Sequence, residues 1–193
     1  MLLNLFAFLI IPGYTLLYVK NFNLFTVNFS VIGNLLGKKR AFVIWGFLTG
    51  IYFYFVLSSV SKNLRLSKRV RYLVHTALML LFLAVFTPYL PQEFPFKAFL
   101  HIVFAMAASL CLIVYLFFAS RRLLEVNRTA GECALWGLLG IFSISSILLV
   151  SVGIVSSALE IFFTFSAVFL SRFFLVQSKG ILQAEAEQNI VAA

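Results

Sequence analysis

Long runs of apolar residues without charge dominate this chain. Residues 2–19 (LLNLFAFLIIPGYTLLYV) and 41–61 contain no charged side chain, and residues 98–120 carry only a histidine. An uncharged apolar run of about 18 residues or more is long enough to cross a bilayer as a helix. We therefore predict an all-α integral membrane protein. The 24 phenylalanines suit such a protein, because they can face lipid instead of filling a soluble core.

Six segments of this kind predict a single bundle of six transmembrane helices. The predicted spans are about 2–19, 41–60, 70–90, 98–119, 135–155 and 158–176. The first run has no basic segment before it and no small-x-small cleavage site after it, so we interpret it as the first helix and not as a signal peptide. The bundle is expected to occupy residues 1–178, followed by a short cytoplasmic tail at 179–193.

Basic residues are unevenly divided between the two sets of connecting segments. Cytoplasmic loops of membrane proteins carry an excess of Lys and Arg. With segments 61–71 and 120–134 and both termini inside, ten basic residues lie inside and five outside. The inner ten are Lys62, Arg65, Lys68, Arg69, Arg71, Arg121, Arg122, Arg128, Arg172 and Lys179. The outer five are Lys20, Lys38, Lys39, Arg40 and Lys97. This predicts a multi-pass cell-membrane protein with cytoplasmic N and C termini, whose net charge of +9 reflects topology and lipid contact, not nucleic acid.

The segment 87–101, TPYLPQEFPFKAFLH, places prolines and polar groups between two apolar runs. The prolines are expected to end the third span, because proline lacks an N–H and its ring clashes with the preceding turn. His101 then lies just below the outer surface. An ionisable group there needs a partner and is a functional-site hypothesis. We expect that partner to be Glu160 or a polar residue of 28–34.

Cofactor and metal sites are not predicted. His75 and His101 are expected near opposite faces, about 15 Å or more apart along helices of ordinary rise, which is too far for one haem. The two cysteines, Cys111 and Cys133, form no CxxC and are interpreted as free thiols.

Motifs of well-defined enzyme classes are missing from the sequence. There is no GxSxG for a serine nucleophile, no HExxH for zinc, and no aspartate for aspartyl proteases or Asp-rich phosphotransferases. No catalytic residue is assigned, and the pattern favours a non-catalytic protein.

Two segments resemble a known superfamily. Residues 28–54 begin NFSVIGNLLGKKR and residues 87–109 end HIVFAMAAS, and together they resemble six-helix proteins that include the DRAM autophagy modulators, the yeast Sfk-type proteins, the GPI-anchor remodelling proteins and many uncharacterised bacterial proteins. Members have a Ser-Asp-x-Gly-like motif in the first outer loop and a histidine near the outer start of helix four. Ser30, Gly33 and His101 match these positions, whereas Val31 replaces the aspartate. The resemblance implies a six-helix fold and a lipid-related setting.

Three functions remain open at this point. The first is binding or sensing of a lipid or small amphiphile at the outer leaflet. The candidate ligand-binding residues are Ser30, Asn34, Glu93, His101 and Glu160. The alternative is a small transporter or channel subunit with His101 and Glu160 as a proton-linked pair. The third is a lipid-remodelling enzyme with His101 as general base. The expected partners are membrane lipids and a small amphiphilic ligand.

Overall fold

Helices are the regular elements of residues 2–191, the part of the chain that this computed structural model describes. That part contains no strand, so the all-α prediction is confirmed. The elements are α1 (Leu2–Leu5), a π-helical turn (Phe6–Ile10), α2 (Ile11–Val19), α3 (Phe29–Asn34), α4 (Lys39–Asn63), α5 (Lys68–Phe86), α6 (Pro95–Val126), α7 (Arg128–Val152) and α8 (Ser157–Val191).

Six helical segments are long and apolar enough to cross a membrane. They are Leu2–Val19, which joins α1, the π-helical turn and α2, followed by Lys39–Asn63, Lys68–Phe86, Pro95–Val126, Arg128–Val152 and Ser157–Ala184. Each corresponds to one of the six predicted spans.

The helix ends differ from the predicted boundaries at several places. The third long helix stops at Phe86 and not at residue 90, because Thr87 precedes a proline and takes an extended conformation with ψ near 123°. The last helix continues without a break from Ser157 to Val191, so residues 179–191 of the predicted tail extend α8. Residues 192 and 193 lie outside the described residues.

Five of the long helices form a closed ring. Each of α4, α5, α6, α7 and α8 packs against the next, and α8 returns to pack against α4. Helix α2 packs on α4 and α8, and the short helix α3 packs on α4. We call the end of the bundle where α4, α6 and α8 begin and α5 ends the His101 end, because His101 lies there.

Close contact between α4 and α5 depends on glycine. A Cβ at Gly46 would lie 2.7 Å from a methyl carbon of Val85, and one at Gly50 would lie 3.0 Å from the ring of Phe82. The two helices therefore approach each other through the missing side chains of α4. This approach brings the end of α5 next to the start of α4, where Lys39 bonds to the Val85 carbonyl.

Candidate functional site

His101 is the centre of a buried hydrogen-bond network. The side chain of this α6 residue is 2% exposed. Its Nδ1 lies 2.7 Å from the carbonyl oxygen of Ala84 and 3.0 Å from that of Thr87. Its Nε2 lies 2.6 Å from the hydroxyl oxygen of Ser30. The partner expected from segment 28–34 is therefore Ser30, and Glu160 makes no direct bond to the ring.

The end of α5 explains why His101 finds carbonyl partners. The last carbonyls of a helix have no partner within the helix. The N–H that would ordinarily bond the Ala84 carbonyl belongs to residue 88, which is a proline and has none. His101 supplies the missing donor from a neighbouring helix. The prolines of segment 87–101 thus create the acceptor that holds the imidazole.

These carbonyls also fix the tautomer of the neutral ring. A carbonyl oxygen can only accept, so Nδ1 must carry the proton and donate it to Ala84. The Nε2 atom of the neutral imidazole then has a lone pair and accepts from the hydroxyl of Ser30. His101 is arranged as a base facing a serine hydroxyl.

Lys39 extends the same network at the start of α4. Its ammonium donates to the Val85 carbonyl at 2.8 Å and to the side-chain oxygen of Asn34 at 3.0 Å. Asn34 in turn donates through Nδ2 to the carbonyl of Ser30 at 2.9 Å. A lysine near a helix C-terminus is favourable because it meets the partial negative charge of the last carbonyls. Lys39 therefore ties the end of α5 to the helix that carries Ser30.

Helix α3 is held in place at its first turn. The Asn28 side chain caps it by accepting from the Val31 N–H at 2.8 Å. The Glu160 carboxylate accepts from the Phe29 N–H at 2.6 Å, and the Tyr18 hydroxyl donates to the Phe29 carbonyl at 2.6 Å. Contacts from α2 and α8 thus flank the residue that precedes Ser30.

Glycine allows α3 to lie against α4. A Cβ on Gly33 would lie 2.8 Å from the Cβ of Phe42 and 2.9 Å from the first ring carbon of that side chain. Any larger residue would push α3 away from α4. Ser30 is one turn earlier on α3, so the close packing at Gly33 determines how far Ser30 lies from His101.

A cavity of about 150 Å³ begins at this network and continues between α4, α5, α6 and α8. Its polar end is formed by Ser30, His101 and Glu160. Towards the middle of the bundle the lining is mainly apolar, and its polar side chains there are the hydroxyl residues Thr49, Ser109 and Thr164. The deeper lining includes Phe53, Leu57, Val74, Ala77, Ala108, Leu112 and Phe163. From His101 to Leu112 the lining extends about 16 Å along α6, at the rise of an α-helix. The cavity is a slot with one polar and one apolar end.

The predicted site residues divide into three groups. Ser30, His101 and Glu160 line the polar end of the cavity together. Asn34 supports Ser30 and Lys39 from behind the cavity wall. Glu93 is exposed in the turn before α6 and makes no hydrogen bond or ion pair within residues 2–191.

Sequence reasoning missed Lys39 and the carbonyls of α5 as parts of this network. Lys39 was assigned to the outer basic cluster alone. The signal for the carbonyls was available, since a proline four residues after Ala84 leaves that carbonyl without its helical donor.

His75 differs from His101 in its exposure and in its hydrogen-bond partners. It is exposed, and its Nδ1 lies 3.1 Å from the Arg71 carbonyl one turn earlier on α5. The two histidines therefore share no network among the described residues.

No family model, curated protein or solved structure matches this chain.

Proposed function

We propose that this protein is a multi-pass cell-membrane protein that binds a single-chain amphiphile from the outer leaflet. The alkyl chain occupies the apolar part of the cavity, and the headgroup meets Ser30, His101 and Glu160. The observation that carries the proposal is the lining of the cavity, which has ionisable side chains only at one end and is mainly apolar along the rest of its length. The excess of basic residues at the opposite end of the bundle supports cytoplasmic termini and an outward-facing His101 end.

The size of the cavity favours one chain over two. A dry cavity of about 150 Å³ holds a molecule the size of benzene, and the cavity here has about that volume. A short segment of one alkyl chain, about the size of benzene, fits such a space with the rest of the chain outside it, whereas the paired chains of a diacyl lipid do not fit. The expected ligands are fatty acids, lysolipids and other amphiphiles with one chain.

Selectivity comes from the headgroup. Lipid tails are as apolar as the cavity wall, so moving a chain from bilayer to protein gains packing but little hydrophobic free energy. Hydrogen bonds at the polar end must then distinguish ligands from bulk lipid. The Ser30 hydroxyl, the His101 ring and the Glu160 carboxylate offer both donors and acceptors there.

A proton-linked transporter is less well supported. Such a mechanism needs His101 and Glu160 to exchange protons. Both nitrogens of His101 are within hydrogen-bonding distance of other groups, namely Ser30 and the carbonyls at the end of α5. Glu160 instead accepts from the backbone of Phe29. Proton exchange would require this network to break in each cycle.

The resemblance of residues 28–54 and 87–109 to the DRAM, Sfk-type and GPI-remodelling proteins supports the same lipid-related setting. It rests on Ser30 and His101, which line the polar end of the cavity, and on Gly33, which lets the helix that carries Ser30 lie against α4.

Tryptophan fluorescence provides a direct test. The chain has two tryptophans. Trp45 lines the cavity, whereas Trp136 is 71% exposed on the face of α7 that would contact lipid. Single-tryptophan variants, Trp136→Phe and Trp45→Phe, are placed in nanodiscs and titrated with lysophosphatidylcholine brominated on its chain. We expect saturable quenching of Trp45, while quenching of Trp136 rises in proportion to the brominated lipid in the bilayer.

A cavity-filling substitution makes the test specific. Ala108→Leu on α6 fills the slot without touching its polar end and should abolish the saturable quenching of Trp45. Ala107→Leu is the matched control, because Ala107 is half-buried and outside the cavity lining. Quenching of Trp45 that never saturates, or that is the same in both variants, would refute the proposed binding.

A further inference from the structure

We propose that Ser30 is a nucleophile activated by His101, and that the protein transfers the acyl group of an ester-linked single-chain amphiphile. This inference rests on the proposed binding of such a ligand in the cavity. It adds a reaction and a substrate class, since a fatty acid or ether lipid would bind without being cleaved.

The geometry at Ser30 is that of an activated serine. An effective nucleophile needs a base within hydrogen-bond reach, about 2.6–3.2 Å, and a third group that orients the base. The hydroxyl of Ser30 lies 2.6 Å from Nε2 of His101. The carbonyl of Ala84, 2.7 Å from Nδ1, takes the place that a carboxylate holds in a Ser-His-Asp triad.

The end of α5 also suits the charged form of the base. When His101 accepts the proton of Ser30, the ring becomes an imidazolium whose two N–H groups are both donors. Its Nδ1 side faces the carbonyls of Ala84 and Thr87 at the C-terminus of α5. The partial negative charge of a helix C-terminus stabilises a protonated histidine. Neither backbone acceptor has to move during the reaction.

The cavity defines where the substrate lies. Ser30 is at its polar end, and the apolar lining begins immediately beyond it. An alkyl chain in the slot brings an ester at the head of that chain to the hydroxyl. Lys39 lies at the same end, and its three N–H groups include one beyond the two donated to Asn34 and Val85. Lys39 is not a lining residue, so its ammonium adds positive charge to this end of the bundle from behind the cavity wall.

The reaction takes place in two balanced steps. The Ser30 oxygen bonds to the ester carbonyl carbon while its proton moves to Nε2 of His101. The bond from that carbon to the headgroup oxygen then breaks, and the leaving alcohol takes the proton from Nε2. In the second step water attacks the acyl-serine, gives its proton to Nε2, and releases the fatty acid as the proton returns to Ser30. No oxidant, reductant or metal is needed.

The test uses an alkyl fluorophosphonate, which labels activated serines covalently, on the full-length protein in nanodiscs. We expect one adduct by intact mass, located at Ser30 by peptide mapping and absent in Ser30→Ala. His101→Asn should slow labelling by about 10²- to 10⁴-fold, the usual contribution of a general base. Ser109→Ala is the matched control, because Ser109 also lines the cavity but bonds only to the Ala105 carbonyl among the described residues. The rate of p-nitrophenol release from p-nitrophenyl decanoate should be similar in wild type and Ser109→Ala, lower in His101→Asn and absent in Ser30→Ala.

The outcomes separate this inference from the binding proposal. Saturable quenching of Trp45 without any adduct at Ser30 would overturn the nucleophile and leave binding intact. An adduct at another serine, or equal labelling in wild type and His101→Asn, would overturn it as well. Ester cleavage that requires Ser30 and His101 and is lost in Ala108→Leu supports both.

Discussion

His101 has two roles that one pair of substitutions can separate. Its Nδ1 donates to the Ala84 carbonyl that Pro88 leaves without a helical donor, and its Nε2 faces Ser30. In His101→Asn the side-chain amide N–H can take the position of Nδ1, so the bond to Ala84 is kept while the base is lost. In His101→Leu both interactions are lost. The two variants should therefore differ in stability although both lack the base.

The expected difference in stability follows from the buried groups that each variant leaves without a hydrogen-bond partner. Leucine leaves the buried Ala84 carbonyl without a partner, at a cost of about 1–3 kcal/mol. It also removes the hydrogen bond to Ser30, whose net contribution is about 0.5–1.5 kcal/mol. His101→Leu should thus lower the free energy of unfolding by about 1.5–4.5 kcal/mol, and His101→Asn by only about 0.5–1.5 kcal/mol.

Unfolding in mixed micelles, monitored by tryptophan fluorescence, measures these differences. His75→Leu is the control, because His75 is exposed and bonds only to the carbonyl of Arg71 among the described residues. An exposed substitution of this kind should change stability by no more than about 0.5 kcal/mol.

Two results would refute the reasoning. If His101→Asn is destabilised as much as His101→Leu, the bond to the end of α5 is not what holds the ring. If His101→Leu unfolds like the wild type, the buried network contributes no stability and the Ala84 carbonyl is satisfied in another way.

Three further predictions concern the short helix α3, the orientation in the membrane and the carboxylate of Glu160. Gly33→Ala places a methyl group 2.8 Å from the Cβ of Phe42, so α3 must shift. We expect a large loss of fluorophosphonate labelling at Ser30 with only a small loss of stability. Labelling equal to wild type would contradict this. A cysteine at the exposed position Gln92 should react with an impermeant thiol reagent added to intact cells, and one at the exposed position Ser67 only after the cells are opened, so the reverse pattern would invert the proposed orientation. Glu160→Gln keeps an oxygen acceptor for the backbone N–H that it now binds, so we expect wild-type stability, whereas loss of the carboxylate charge should change which headgroups are bound. Loss of a pH-dependent ion flux in liposomes in this variant would instead favour the transporter.

The long helices could be predicted because their signal is local. An apolar run of the right length has few alternatives to a helix, and all six runs became helices. The exact ends could not be predicted from hydropathy alone. Residues 87–90 are apolar enough to continue α5, but Pro88 constrains the residue before it, and the helix stops at Phe86.

The candidate site could be predicted only as a set of possible partners. Ser30 and His101 are 71 residues apart, and no local motif joins them. Helix α3 is six residues long and gave no periodic pattern, since its position depends on the Asn28 cap and on the absence of a side chain at Gly33. Glu93 is predicted at the outer surface with the others and lies eight residues before His101, but the turn that carries it leaves its side chain exposed.

If the helices span a membrane as proposed, the bond between His101 and Ala84 has a consequence for the order in which the chain is inserted. These residues are 17 positions apart, within the hairpin formed by α5 and α6. A polar group without a partner in the hydrocarbon region costs several kcal/mol. The imidazole finds an acceptor inside its own hairpin, so it need not wait for α7 and α8 to be synthesised. The helices that complete the ring, α7 and α8, then pack around a histidine whose Nδ1–H already donates to the Ala84 carbonyl. We therefore expect insertion and site assembly to be separated in time, so that a chain stopped after α6 would already hold His101 against the end of α5.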